Sequence, residues 1–391
     1  MLLAVPWLLA PALAAPDDAF TVVALPDTQY YSCGCNGGQP ETFSAQTAWV
    51  VDALSERDIG FVTQLGDCVE NGDGIPEEWA VPDAAFSLLE DPDTTGLAEG
   101  IPYGIAVGNH DQTPFGDAQG TTDHYNATFG TARFAEKSWY GDHYGDNNDN
   151  HYQLFSGGGI QYLALHLEYD PNADPDVLAW AADVLAAHPD RMAIVISHYL
   201  IDTAAAWGPQ GQAIYDALKD QPTLFLMLSG HVLGVAQRSD TWDGRTVHTL
   251  LSDYQGEPNG GNGWLRILTL SHSADTLTVE TWSPTLGTRD DTPENAFTLT
   301  VDLAAGVEPQ DSGTPTDTPP DSDTPTDSNT STVDSDPNTD ADPTDPQDTD
   351  TTGTGDPEAG GCGCAATPTA PGWLVLLGAA GWLRRRTRAP G

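Results

Sequence analysis

The sequence predicts a layered α/β domain followed by an extended acidic segment, on three observations. Between residues 20 and about 303, strand-like apolar runs alternate with stretches whose apolar residues recur at helical spacing. Five of the apolar runs end in Asp, Asn or His, and open α/β sheets deliver their site residues in this way, at strand carboxyl ends. Residues 308–358 are Asp, Thr, Pro and Ser with almost no apolar side chains, a composition that cannot bury a core and extends by self-repulsion.

The elements follow in order. Residues 1–15, MLLAVPWLLAPALAA, are apolar, end on small residues and give way to Pro16-Asp17-Asp18. They read as a secretory signal peptide without a basic leader, the first Lys or Arg being Arg57. The domain is expected over 16–307. Its first strand is Val22-Val23-Ala24-Leu25-Pro26-Asp27. A helix over Phe43–Leu54 aligns Phe43, Thr47, Val50 and Leu54, flanked by Trp49 and Ala53. The second run is Phe61–Asp67 and the third Gly104–Asp111, ending Gly108-Asn109-His110-Asp111. A second helix over Asp176–Ala187 presents Val177, Trp180, Ala181, Val184 and Leu185. The fourth and fifth runs are Ala193–His198 and Leu224–His231. Thr246–Leu251, Trp264–Leu270 and Leu277–Trp282 read as later strands. Between the third and fourth runs lie His124, His143, His151 and His166 and the aromatic stretch Trp139-Tyr140-Gly141-Asp142-His143-Tyr144, expected to form a cap or rim over a cleft.

The net charge is −45 and the pI about 4.1. Residues 308–358 carry fifteen acids and no bases, and Arg384–Arg388 contains four arginines, which leaves roughly −34 on residues 1–307. Such a field repels nucleic acid, whose binding rests on Lys and Arg neutralising phosphates, so no nucleic-acid partner is expected. The cysteines are Cys33, Cys35, Cys68, Cys362 and Cys364. An odd count with two Cys-Gly-Cys pairs is not a disulfide framework. Cys33 and Cys35 could close a small loop, bind a metal or simply sit in a Gly-rich surface loop, and Cys68 reads as a small buried apolar residue.

The order of strand-end residues resembles the calcineurin-like metallophosphoesterases, over roughly residues 20–300. That family runs Asp-x-His, Gly-Asp, Gly-Asn-His-Asp/Glu, His, Gly-His-x-His. This chain reads Asp27-Thr28-Gln29, Gly66-Asp67, Gly108-Asn109-His110-Asp111, His198 and Gly230-His231-Val232-Leu233, with Gln29 and Leu233 at positions where the family has His. The resemblance implies a four-layer αββα sandwich of two mixed β-sheets flanked by helices, with the site at one edge. It implies one or two divalent ions (Mn, Fe, Zn or Mg) held by Asp27, Gln29, Asp67, Asn109, His198 and His231. Asp67 would bridge the ions, and Asn109, His198 and His231 would complete the second position. His110 would be the general acid, with Asp111 orienting its imidazole. Gln29 is a weak neutral ligand and Leu233 cannot ligate, so the first position is impoverished. Hard ions, Mg, Mn or Ca, suit it best. A donor from another loop would complete it, with His248 and Asp253 near the later strands as residues that spacing does not place.

The chain's end reads Gly361-Cys362-Gly363-Cys364, a polar spacer, an apolar run Pro371–Leu383 and Arg384-Arg385-Arg386-Thr387-Arg388. This tail, 361–391, resembles myxobacterial C-terminal sorting signals, and a plain transmembrane anchor is the alternative. Both place the domain outside the cytoplasm, at the cell surface or outer membrane, with 308–360 as a disordered stalk and sorting machinery as a partner. The expected function is a secreted, surface-anchored phosphoesterase hydrolysing phosphomonoesters or phosphodiesters with metal-activated water. The alternative is a catalytically impaired protein of the same fold with a binding or adhesion role.

Overall fold

The structure, a computed structural model, describes residues 18–304. The expected leader (1–15), stalk (308–360) and tail (361–391) lie outside the described residues. The strands are β1 (Ala19–Leu25), β2 (Ile59–Gln64), β3 (Tyr103–Ile105), β4 (Tyr140–His143), β5 (His151–Gly157), β6 (Ile160–Leu167), β7 (Met192–Ser197), β8 (Leu224–Ser229), β9 (Gly234–Trp242), β10 (Arg245–Asp253), β11 (Leu265–Ser271), β12 (Thr276–Ser283), β13 (Thr288–Asp290) and β14 (Phe297–Thr300). The α-helices are α1 (Gln29–Ser32), α2 (Pro40–Arg57), α3 (Ala80–Glu90), α4 (Pro92–Thr95), α5 (Asp123–Phe129), α6 (Thr131–Phe134), α7 (Pro175–Ala187), α8 (Pro209–Leu218) and the single turn α9 (Pro258–Gly261).

Two mixed sheets carry the fold. The first runs β13-β12-β11-β1-β2-β3, with β14 also on β12, and the second runs β4-β5-β6-β7-β8-β10-β9. Strand alternation assigns each side chain to a layer. Val22 and Ala24 of β1 point between the sheets, where they meet Ile194, Ile196, Leu226 and Leu250 of the second sheet. Val23 and Leu25 point outward, onto Phe43 and Val50 of α2 and Phe86 and Leu89 of α3. On the far side, Leu163, Leu165 and Val195 pack on Ala181 and Leu185 of α7 and Ile214 and Leu218 of α8. The result is the expected αββα order.

Helix ends carry local signals. α2 has Pro40 in its first turn, Glu41 there and Arg57 in its last turn, and it stops at Asp58 in the left-handed region (φ 48°). α7 starts at Asp174, whose side chain accepts from the Asp176 N–H. Its Ala181, Val184 and Leu185 are buried as the stripe requires. Cys68 is buried in the α2/α3 layer. Of the readings open for Cys33 and Cys35, the structure has a disulfide between them. Among the described residues no helix is long and apolar enough to cross a membrane.

One expectation is corrected. Residues 139–166 are not a cap but β4, β5 and β6 of the second sheet. Trp139 is buried against Tyr103 and Phe134. His151 and His166 lie wholly buried, stacked at 4.8 Å. His124 pairs with Asp73 at 3.1 Å and His143 bonds Tyr140 Oη at 3.2 Å.

Candidate metal centre

β1, β2 and β3 are parallel, as are β6, β7, β8 and β10. Their carboxyl ends carry Asp27, Asp67, Asn109, His198 and His231, and hydrogen bonds tie the two sets of ends together. Within the second sheet Gly230 N–H donates to the His198 carbonyl at 3.1 Å, and between the sheets His231 N–H donates to Asp27 Oδ2 at 3.1 Å and the His198 Nδ1–H to the Leu65 carbonyl at 2.9 Å. Gln64 closes the Gly66-Asp67 turn: its Oε1 accepts from Gly66 N–H at 2.9 Å and its Nε2 donates to the Gly66 carbonyl at 2.7 Å.

Around His198 the arrangement is that of a cation site. Its Nδ1 lies 2.9 Å from the Leu65 carbonyl, which can only accept, so Nδ1 carries the proton. Nε2 then faces Asn109 Oδ1 at 3.1 Å, Asp67 Oδ2 at 3.1 Å and His231 Nδ1 at 3.3 Å. One ligand atom each from Asp67, His198 and His231 falls within a 4.8 Å cluster. A histidine that gives its second N–H to a carbonyl and aims its other nitrogen at further lone pairs is the usual posture of a metal ligand. Burial alone would lower the His198 pKa, yet the charges of Asp67 and Asp27 outweigh it and hold the imidazolium up to about 10. Burial and the His198 charge push His231 down to about 4. Converging lone pairs that already hold one proton this tightly fit a divalent ion, and the donor set suits Mn, Fe or Zn.

The other expected residues adjoin this cluster. Asp27 is buried, and burial with the nearby Asp253 carboxylate raises its pKa well above the usual carboxylate range. Gln29 is 1% exposed; its Nε2 donates to Asp67 Oδ2 at 3.2 Å and its Oε1 has no partner among the described residues. Burial alone would raise Asp67, but His198 and His110 hold it below the usual range. Asp67 and His231 both adopt the left-handed region, at φ 55° and 74°, a conformation that persists where surrounding contacts impose it.

His110 and Asp111 differ from expectation. The Asp111 carboxylate accepts from Val69 N–H at 3.1 Å and Gly108 N–H at 2.8 Å, so it pins the Asn109-bearing loop rather than the imidazole. Burial and Asp67 push its pKa up to about 7. The orienting acceptor for His110 is the Glu70 carbonyl, 2.9 Å from Nδ1. Nε2 of His110 has no hydrogen-bond partner among the described residues.

Leu233 is 58% exposed on the rim. His248 is not at the site: its Nε2 meets the Thr300 carbonyl at 2.9 Å and its Nδ1 meets Ser239 Oγ at 2.8 Å. The aromatic rim expected from residues 139–144 comes instead from Phe115, edge-on to His110 at 4.5 Å, and from Tyr169 and Tyr199, 5.2 and 4.8 Å from His231. These residues and Glu70 carry no motif, and no pattern in the chain singles them out.

No family model matches the chain. It is 34% identical over 305 residues to the uncharacterized protein YvnB of Bacillus subtilis (strain 168), which covers 73% of this chain and 22% of that protein's length. Among solved structures, it is similar to a dimetal phosphatase from Danio rerio (TM-score 0.45, 13% identity, 72% of this chain and 99% of that one). It is also similar to GAP50, the anchor in the inner membrane complex of Plasmodium (0.43, 12%, 73% and 89%). A third is the calcineurin-like phosphoesterase YfkN from Bacillus subtilis (0.33, 11%, 74% and 92%). At this level of likeness the functional reading rests on the site itself.

Proposed function

We propose that the chain is a calcineurin-like metallophosphoesterase that hydrolyses phosphomonoesters or phosphodiesters outside the cytoplasm. The observation that carries this is the convergence of Asp67, Asn109 and His231 on Nε2 of His198, beside His110, whose Nε2 has no partner among the described residues. A bound divalent ion supplies positive charge that polarises a phosphoryl oxygen and acidifies water. The chain's own residues do the rest. Asp67, Asn109, His198 and His231 hold the ion, Asp27 fixes the His231 turn through its backbone N–H, and Asp111 fixes the Asn109 loop. His110, held by Glu70, holds or gives up a proton at Nε2 next to the leaving oxygen. Phe115, Tyr169 and Tyr199 offer flat apolar surface to the organic group of the ester.

The apolar leader, acidic stalk and Cys-apolar-Arg tail support attachment at the cell surface. So does the Cys33–Cys35 disulfide, a bond that persists in oxidising compartments. Exposed Leu233 at a family ligand position favours a second reading, a metal-retaining surface protein without turnover.

The test is hydrolysis of para-nitrophenyl phosphate and its bis ester by metal-stripped protein reloaded with Mn²⁺, beside Asn109→Ala. Metal-dependent turnover that falls on the order of 100-fold in the variant is expected, from the loss of a neutral ligand. Turnover indifferent to metal sinks the proposal, and metal binding without turnover on either ester establishes the second reading.

A further inference from the structure

We infer that the substrate of this centre is a singly charged phosphodiester with a flat apolar group on each side of phosphorus, and that Phe115 and Tyr199 select it. The inference rests on the metallophosphoesterase reading above. It goes beyond that reading in choosing diester over monoester and in naming the residues that choose.

The polar groups of the centre form a row with an aromatic wall at each end. His110 N–H donates to Asp67 Oδ1 at 2.9 Å, Asp67 Oδ2 lies 3.1 Å from His198 Nε2, and His198 Nε2 lies 3.3 Å from His231 Nδ1. At the His110 end Phe115 stands edge-on to the imidazole at 4.5 Å and is 64% exposed, so most of its ring is open to a ligand. At the His231 end Tyr199 and Tyr169 lie 4.8 and 5.2 Å from that imidazole, both half-buried. Gly116, next to Phe115, donates its N–H to the Asn109 carbonyl at 2.9 Å, and a β-carbon on it would sit 3.6 Å from Tyr169 Cε1. Phe115 and Tyr169 therefore border one rim that runs from His110 to His231.

The charge around the row decides between the two ester classes. A monoester dianion brings a second negative charge, which proteins ordinarily meet with arginine or lysine. Among the described residues every Arg and Lys is bonded to groups outside the row. None of them stacks on Phe115, Tyr169 or Tyr199. What stands beside His110 is instead a carboxylate: Glu70 Oε2 lies 3.5 Å from its Nδ1 and is buried with no hydrogen-bond donor among the described residues. Without a paired cation, that carboxylate and Asp67 repel a doubly charged phosphoryl group more than a singly charged one. A diester replaces the second charge by an organic group, and the two walls supply apolar surface for both of its groups. Hydrolysis then breaks the P–O bond to the group over Phe115. Water gives its hydroxyl to phosphorus and its proton to the leaving oxygen beside His110, and the products are an alcohol and a phosphomonoester. The monoester carries the charge that the row disfavours, so the reaction stops there.

The test uses the Mn²⁺-loaded full chain, its Phe115→Ala and Tyr199→Leu variants, and two anions whose P–C bonds are not hydrolysed. Diphenylphosphinate is singly charged with two rings; phenylphosphonate has one ring and is used at a pH where it is a dianion. Calorimetric titration of the parent is expected to show the phosphinate bound at least about tenfold more tightly, and each variant to lose about three- to tenfold of that preference. Turnover of bis(para-nitrophenyl) phosphate is expected to release one of its two nitrophenols and leave the monoester. Tighter binding of the phosphonate, a higher kcat/KM for the monoester, or a preference that both variants keep overturns the inference, while metal-dependent turnover leaves the enzyme reading intact. A phosphinate preference without turnover of either ester removes the catalytic reading and leaves the selectivity standing. A parent that binds neither anion and turns over neither ester overturns both.

Discussion

At the scale of single residues, the glycines of the motifs explain why the ligands come as Gly-Asp, Gly-Asn and Gly-His. Each glycine lies under the ligand of a different motif. A β-carbon on Gly66 would collide with the His198 ring, one on Gly108 with Asp67, and one on Gly230 with Asp27 Oδ1. The site is therefore a ring of mutual packing in which each motif leaves room for another. Gly230→Ala is expected to displace Asp27 and with it the His231 N–H it accepts. The cost is about 1–3 kcal/mol, the usual range for forcing a methyl into a filled space. It would be read as a lower melting temperature, together with a smaller shift on adding Mn²⁺. Gly256→Ala is the control: its β-carbon would meet only ordinary contacts with Leu233 at 3.5 Å, and its effect is expected within about 0.5 kcal/mol. Equal losses in both variants would remove the packing argument.

At the scale of elements, the sheets hold a polar layer that the strand pattern concealed. β5 points His151, Gln153 and Phe155 between the sheets and Tyr152 and Leu154 outward. Two polar residues on the buried face erase the apolar alternation by which a strand is recognised, which is why 139–166 reads as a rim. Where the buried residues are apolar, the elements are legible: the five runs, α2, α7 and the strands that became β10, β11 and β12. The candidate metal ligands are legible for the same reason, as polar residues that end such runs. The environment of the ligands is not, since Glu70 and the rim aromatics sit in loops whose position depends on the closed fold. The concealed layer carries a pH dependence. His151 faces His166 across the β5/β6 pair, and His166 Nε2 bonds Thr63 Oγ1 of the first sheet at 2.9 Å. Burial pushes His151 down to about 4, and His166 also well below its ordinary value. A depressed folded pKa means that the unfolded chain takes the proton first as pH falls. Stability is then full above the unfolded value and declines through the window from about 6.5 to about 4, by about 3 kcal/mol for His151. Denaturant unfolding across that window checks it, and His151→Phe is expected to flatten the slope. A slope of the parental steepness in that variant would assign the decline elsewhere.

At the scale of the whole molecule, the dominant fact is charge. Roughly −34 lies on residues 1–307, of a total of −45. Such a field concentrates divalent cations and depletes phosphate esters near the surface. The two effects oppose each other in catalysis: at low salt the site fills readily with metal, while its anionic substrate is repelled. With the metal held saturating, only repulsion of the substrate remains. Raising ionic strength from about 10 mM to about 150 mM shortens the screening length from roughly 30 Å to roughly 8 Å. kcat/KM for a dianionic monoester is therefore expected to rise by at least about twofold, with kcat nearly constant because the bound complex has already crossed the field. A singly charged diester should respond less than the monoester. This sign is opposite to that of an enzyme whose cleft is lined with lysine and arginine. A fall in kcat/KM with salt would mean that the bound ions, and not the acidic shell, set the potential the substrate meets at the cleft mouth.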